Sequence, residues 1–245
     1  MSAIATFFRL PPWLAVALCI AMGAAHAGSF QVNPIRVEMT KGATSAAITL
    51  RNDGDEPIVV QSSIVGWSQE KGQDVYAPTN EALVTPPVMT IAPGGEQIVR
   101  VGLRRGQDAQ RELTYRVYLQ EVPPPPKPGF TGLQVALRVG LPVFVAPASA
   151  AIRRLEWSAQ IRPDGIALSA QNTGNSHVQV TDFELGLPGA SEPIAHESLL
   201  VYVLAGQTRT WNLSVATDRV KSARELRLKA FTDAGDIDTP VNVEP

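Results

Sequence analysis

Short segments in which apolar and polar residues alternate recur along most of this 245-residue chain, and they constrain its fold more than any other feature. A period of two is that of a β-strand with one buried face, and Gly, Pro, Asn and Asp, the residues of turns, separate the segments. A convincing helical period over about ten residues is not found. The sequence therefore predicts an all-β protein. The alternating segments are residues 47–50, 58–64, 97–103, 114–122, 133–141, 166–170, 178–185, 209–215 and 225–231.

The predicted strands fall into two sets. Residues 146–151, Ala-Pro-Ala-Ser-Ala-Ala, are small and weakly patterned, as expected for a connection between domains. With 44% hydrophobic and 18% charged residues, the chain has enough apolar side chains for packed cores. We therefore expect two β-sandwich domains in series, at residues 28–147 and 151–245.

The N-terminal residues 1–27 have the three parts of a secretory signal peptide. Arg9 supplies a positive charge, residues 13–22 form an apolar run, and Ala25-His26-Ala27 provides a small-x-small cleavage site. The apolar run is about half of the ~20 residues that a membrane helix needs. We therefore expect an exported chain that begins at Gly28 and does not insert into the membrane. The alternative is an uncleaved anchor.

Several classes of function are excluded or disfavoured by composition. The formal net charge of −2 argues against nucleic-acid binding through a broad basic face. The single cysteine, Cys19, lies in the signal segment, so thiol catalysis and disulfides are excluded for the exported chain. His177 and His196 lie in turn-rich segments without a second ligand at a suitable spacing, and we expect both in solvated loops. Without a nucleophile-elbow or zinc-protease motif, neither an enzyme nor a bound cofactor is expected.

The segment 133–141 is the most informative strand. Its apolar residues, which would share one face, are Leu133, Val135, Leu137, Val139 and Leu141. Pattern alone favours an ordinary core strand of a sandwich. The strand follows a proline-rich loop, residues 123–129, whose four consecutive prolines cannot lie inside a sheet. Such a loop allows the strand to stand at an edge, and Pro142 indicates an edge, a bend or a bulge.

Four parts of the first domain, in this order, resemble the periplasmic pilus-assembly chaperones of the PapD-like family. The resemblance covers most of residues 30–147 and implies immunoglobulin-like sandwiches for both domains. Trp67, Gln69, Gly72 and the Pro78-Thr79 turn are similar to the archaic branch of the family. The four parts are residues 32–37 (Val-Asn-Pro-Ile-Arg-Val), residues 85–100 (with Thr-Pro-Pro-Val, Ile-Ala-Pro-Gly and Gln-Ile-Val-Arg), residues 115–123 and residues 133–144.

The resemblance implies a mechanism of strand donation. In this family a pilin-like subunit lacks the last strand of its sandwich, and the chaperone lends an edge strand that fills the groove. The segment 133–141 would be that strand. The implied partners are pilin-like subunits and an outer-membrane usher, and the implied location is the periplasm. Whether a second copy of the chain caps the free strand, as a homo-oligomer, is left open.

The family also holds the C-terminal carboxylate of the subunit between two basic residues in the cleft between the domains. Arg36 matches the family's arginine, with a structural ion pair as the alternative. The family's lysine falls on Pro142, and Arg138, four positions earlier on the same face, either replaces it or is solvated. The arginine that the family places just before the hinge falls on Ala146.

A second hypothesis is a secreted two-domain adhesin or carbohydrate-binding module. It would require an exposed aromatic platform, which Trp67, Trp157 and Trp211 would form if they were exposed. Core or interdomain packing is the more common role of such residues. A secreted hydrolase is disfavoured because histidine is scarce and no nucleophile motif is present.

Overall fold

The structure, a computed structural model, describes residues 30–126, 128–129, 131, 134–216, 220–221 and 223–244. The predicted signal peptide and Leu133 lie outside the described residues. All regular structure that is described is β, in 17 strands, which confirms the all-β prediction. A search of the same residues for a helix that is long and apolar enough to cross a membrane finds none.

The first ten strands enclose one hydrophobic core. They are β1 (Phe30–Asn33), β2 (Val37–Met39), β3 (Ser45–Asn52), β4 (Ile58–Glu70), β5 (Gln73–Pro78), β6 (Ala82–Thr85), β7 (Val88–Ile91), β8 (Glu96–Leu103), β9 (Leu113–Glu121) and β10 (Arg138–Val145). One sheet has the order β1–β3–β8–β6, and the other has the order β2–β10–β9–β4–β5 with β7 also paired to β4. Alternate residues such as Ile48, Val99 and Val117 are fully buried between these two sheets.

The start of the described chain changes from one sheet to the other. β1 pairs with β3, and after Pro34, Ile35 and Arg36 the chain continues as β2, which runs parallel to the end of β10. Arg36 therefore lies at the crossing point, where it contacts side chains of the second strand set.

The remaining seven strands enclose a second core. They are β11 (Leu155–Arg162), β12 (Gly165–Asn172), β13 (Val178–Gly186), β14 (Pro193–Val203), β15 (Thr208–Leu213), β16 (Glu225–Thr232) and β17 (Ile237–Glu244). Their order is β14–β13–β16–β17–β11–β12–β15. β17 joins the two halves of the sandwich, because residues 237–242 pair with β16 and residues 243–244 pair with β11. The domain bounds at 28–147 and 151–245 stay a prediction.

Each core is bordered by a turn of the same kind, in which a buried asparagine side chain bonds to the backbone. Asn52 is 0% exposed, and its Nδ2 donates to the carbonyl oxygens of Glu56 and Ile91 at 2.8 and 3.1 Å. Asn172, also 0% exposed, donates in the same way to Ser176 and Val203 at 2.8 and 2.9 Å. In each turn the side-chain oxygen accepts the N–H of the glycine two residues later. The Asn-Asp-Gly and Asn-Thr-Gly turns are therefore also structural supports for each core.

An aromatic cluster connects the two sandwiches. Trp67 and Phe144 of the first pack on Tyr202 and Leu204 of the second, with Trp67 only 4% exposed. Gln69 lies beside them, 3% exposed, and bridges the domains through both ends of its amide. Its Nε2 donates to the Tyr202 carbonyl at 2.8 Å, and its Oε1 accepts from the Leu204 N–H at 3.0 Å. Trp67 therefore has an interdomain packing role and does not offer a platform for sugars.

Candidate functional site

The first strand set has an open sheet edge at β10. This strand pairs with β9 along its whole length, from Arg138 to Val145. On its other side it pairs with β2 only from Val143 to Val145. Among the residues that the structure describes, no strand covers Arg138–Pro142 on that side. An open edge presents unpaired backbone groups to which another chain can add a strand.

The hydrogen-bond pattern shows which backbone groups face the open edge. The Glu121 N–H donates to the Leu137 carbonyl oxygen at 2.8 Å. Because bonded and non-bonded pairs alternate along an antiparallel ladder, the N–H and C=O groups of Arg138 and Gly140 point away from β9. Pro142 lies at the next such position, where it lacks an N–H but interrupts no bond within the protein. The sequence predicted an edge, a bend or a bulge at Pro142, and in the structure this residue lies at a sheet edge.

The predicted subunit-binding side chains differ in exposure. Val135, before the start of β10, is 59% exposed, whereas Leu137 and Val139 are partly buried against the first core. Leu141 is only 3% exposed, inside that core. The exposure of the side chains on this face therefore decreases along the strand, from Val135 to Leu141, because the opposing sheet covers only the C-terminal part of the strand. Leu141, predicted to share this face with the other apolar residues of the strand, packs inside the protein's own core.

Arg36 forms ion pairs in the cleft between the two sandwiches. Its Nε lies 2.8 Å from a Glu38 carboxylate oxygen, and its Nη1 lies 3.2 Å from both Gln179 Oε1 and Asp233 Oδ2. Its side chain remains 32% exposed. The ion pair that the sequence left as the alternative is present. The exposed fraction leaves part of the guanidinium accessible from the cleft.

The prediction that His177 is a solvated loop residue is wrong. Its ring is fully buried and stacks on Phe144 of β10, with centroids 3.5 Å apart. Its Nδ1 lies 2.8 Å from Glu112 Oε2 on the first domain, and its Nε2 lies 3.6 Å from Asp233 Oδ2. Burial alone would lower the pKa of His177, but the two carboxylates outweigh it and raise the pKa above the usual histidine value. A lone histidine in a turn-rich segment gives no signal of such burial.

His196 is solvated as expected, but it lies in strand β14 rather than in a loop. Its side chain is 52% exposed, and Nε2 lies 2.9 Å from Asp182 Oδ2. Trp157 and Trp211 stack on each other at 5.7 Å and pack against the second core. No cluster of three or more metal-ligating side chains is found in the described part of the chain.

Two arginines lie on the outer face of the sheet beside the open edge. Arg138 is held over the ring of Tyr118, with its Cζ 4.2 Å from the centroid. Arg116, in β9, stands directly opposite Pro142 in the register. Sequence reasoning missed Arg116 because its neighbour across the sheet is known only once β9 and β10 are paired. The alternation of residues 114–122 is the sequence signal that places Arg116 on the face opposite Tyr115 and Val117, away from the core.

Comparison with known proteins agrees with this architecture. Residues 29–151, half of the chain, match the family described as pili and flagellar-assembly chaperone, PapD N-terminal domain. The chaperone protein FimB/FhaD of Bordetella pertussis is 26% identical in an alignment of 189 residues that covers 72% of this chain and 76% of that protein. The fimbrial chaperone YhcA of Escherichia coli is 27% identical over 174 residues, 71% of this chain and 73% of that protein.

Solved structures share the fold over both sandwiches. The CsuC–CsuE chaperone–tip adhesion subunit complex of Acinetobacter baumannii matches with a TM-score of 0.67 and 18% identity, covering 89% of this chain and all of the matched chain. The complex of the SafA pilin with the SafB chaperone of Salmonella enterica matches with a TM-score of 0.61 and 21% identity, covering 89% and 97%. These matches confirm two immunoglobulin-like sandwiches in series. With a family model over half of its length, this chain belongs to the PapD-like family of pilus-assembly chaperones.

Proposed function

We propose that this chain is a periplasmic chaperone that binds pilin-like subunits by donor-strand complementation and delivers them to an outer-membrane usher. The observation that carries the proposal is the unpaired edge of β10 from Arg138 to Pro142, beside the graded apolar face. The complexes in which SafB holds a pilin and CsuC holds a tip adhesion subunit support a subunit as the partner. In the periplasm, the predicted signal peptide would have been removed.

The energetics of such a complex are divided between the backbone and three side chains. Full burial of one Val or Leu is worth roughly 1.5–3 kcal/mol. Val135 is free to supply most of that, whereas Leu137 and Val139 already have part of their area covered. Association costs at least about 4 kcal/mol. The backbone bonds of Arg138 and Gly140 to an added strand are therefore an essential part of the affinity. Leu141 serves the chaperone's own fold, because its side chain lies in the first core and its backbone groups face β9. Leu133 remains a predicted contact of the subunit.

Arg36 is the proposed site for the subunit's terminal carboxylate. A carboxylate in the cleft would compete with Asp233 and Glu38 for the guanidinium, so binding there would rearrange existing ion pairs. Arg138 stays a candidate second cation, close to the start of the open edge. Without a subunit, the same edge is available to a second copy of the chain, which would form a self-capped homo-oligomer.

Co-expression in the periplasm with a pilin-like subunit tests the proposal. Val135→Asp places a charge where the subunit would bury an apolar side chain, and we expect it to reduce co-purification of the subunit at least about tenfold. Ile98→Asp, at a residue that is 49% exposed on strand β8, is the matched control and should co-purify like the wild type. Both variants should keep the wild-type melting temperature. Undiminished capture by Val135→Asp would contradict strand donation.

A further inference from the structure

A gap in the outer face of the sheet lies directly above Gly140. A Cβ at this position would stand 3.0 Å from Arg116 Nε and 3.0 Å from Tyr118 Cε1. Such contacts are tighter than packed side chains normally allow, so the absence of a side chain lets both neighbours lie across the edge strand. Gly140 is also one of the two residues whose N–H and C=O point to the open edge.

Arg116 fills this gap. Its Nη2 donates to the Gly140 carbonyl oxygen at 3.3 Å, and its Cζ lies 5.5 and 5.8 Å from the ring centroids of Trp67 and Tyr76. The guanidinium is thus held by two aromatic rings and one carbonyl, beside the backbone to which a strand would be added. Its orientation is fixed before any partner arrives, which reduces the entropy lost on binding.

The charges of this face are unbalanced. Within the described ranges, neither Arg116 nor Arg138 has an ion pair with a carboxylate. Asp74 contacts the aromatic cluster, where its Oδ1 accepts from Trp67 Nε1 at 3.2 Å and from Gln69 Nε2 at 2.9 Å. A guanidinium has five N–H donors, so Arg116 retains donors for an incoming acceptor.

We propose that Arg116, seated over Gly140, selects a complementing strand that carries Asp or Glu on the side facing away from the core. The inference rests on the proposed strand donation and specifies the side-chain chemistry of the subunit strand that pairs with β10. Successive side chains of a strand alternate between the two faces, so a strand beside Gly140 has every second side chain on the face of Arg116, and the one opposite Gly140 lies nearest to it. A carboxylate there accepts two parallel N–H bonds from a planar guanidinium.

Two synthetic peptides test the inference, with binding to the purified protein measured by calorimetry. In both, Val and Leu alternate with Thr, one central Thr is replaced by Glu or by Gln, and both ends are capped so that no terminal carboxylate is present. We expect the Glu peptide to bind the wild type about tenfold more tightly than the Gln peptide, with a difference that shrinks as salt is added. Arg116→Gln should remove the difference, and Arg100→Gln, an exposed arginine of strand β8, should retain it.

Gly140→Ala provides a second variant, which keeps the charge of Arg116 but displaces its side chain. It should weaken the preference for Glu while the protein keeps its melting temperature. Equal binding of the two peptides, or a preference that survives in Arg116→Gln or in Gly140→Ala, would overturn the inference and leave strand donation intact. If neither peptide binds the wild type, strand donation and the inference fail together.

Discussion

At the scale of single residues, buried amides do more than the turn chemistry suggests. The buried amides of Asn52 and Asn172 each bond two carbonyl oxygens and one N–H of the backbone. An unsatisfied buried group costs more than a hydrogen bond normally contributes. The two asparagines occupy equivalent turns, one in each sandwich, so each serves as a control for the other.

We expect Asn52→Ala to destabilise the first sandwich and Asn172→Ala the second, each by about 2–4 kcal/mol, because three hydrogen bonds are lost in a buried site. Urea unfolding followed by residue-specific NMR signals from each core would separate the two transitions. A loss below about 0.5 kcal/mol in both variants would show that water replaces the amide.

At the scale of elements, β10 serves two functions along its length. Its C-terminal part, with Leu141 and Val143, belongs to the protein's own core and is flanked by β2 and β9. Its N-terminal part has an uncovered edge and a half-buried face. The strand is therefore anchored at one end and available at the other. A subunit can pair with the available part while the anchored part keeps the chaperone folded.

This division predicts opposite outcomes for two truncations on the same alternating face. Leu141→Ala should lower the free energy of unfolding by about 2–5 kcal/mol because it leaves a cavity in the core. Val135→Ser, at an exposed residue, should leave stability almost unchanged but weaken capture of a pilin-like subunit. Thermal unfolding and co-purification measure the two effects. The account of β10 would be wrong if Val135→Ser were the more destabilising of the two.

Alternation along the sequence was sufficient to predict most of the central strands, because a buried face imposes its period locally. It did not predict where β10 begins, at Arg138 rather than Leu133, since that depends on where β9 stops offering partners. The burial of Leu141 depends on the opposing sheet, and the place of Arg116 depends on register. These properties depend on contacts between residues that are far apart in the sequence, and local patterns in a single sequence do not indicate such contacts.

At the scale of the whole molecule, one network of charges links the two domains to both parts of the candidate site. Glu112 of the first domain contacts His177, which approaches Asp233, which in turn binds Arg36. His177 also stacks on Phe144 of β10. The family's arginine before the hinge is Ala146 here, and this histidine-centred network provides charged contacts between the domains.

The network predicts a pH-dependent stability. Because the pKa of His177 is raised, the stabilisation from its charge is complete below the ordinary histidine pKa and is lost as pH rises through the raised value. Burial would raise the pKa of Asp233, but His177 and the Gln179 N–H lower it, so its contribution is lost as pH falls through the lowered value. We therefore expect stability to decline on both sides of a mildly acidic maximum.

The comparison variant is His177→Gln, whose deficit relative to the wild type should be about 2–4 kcal/mol in mild acid and should narrow as pH rises. His196→Gln, at an exposed histidine paired with Asp182, should show a much smaller deficit, because solvent screens that pair. Denaturant unfolding over a pH series measures both. A deficit for His177→Gln that does not change with pH would show that its charge does not contribute.

The most direct test of the central claim is amide hydrogen exchange along β10, with and without a bound pilin-like subunit. In the free monomer, the N–H groups of Arg138 and Gly140 should exchange fast, while those of Val139 and Leu141, bonded to β9, should be protected. On binding, Arg138 and Gly140 should become protected as well. Protection of these two amides in the free monomer, or a bound complex in which they still exchange fast, would contradict the donation of this strand.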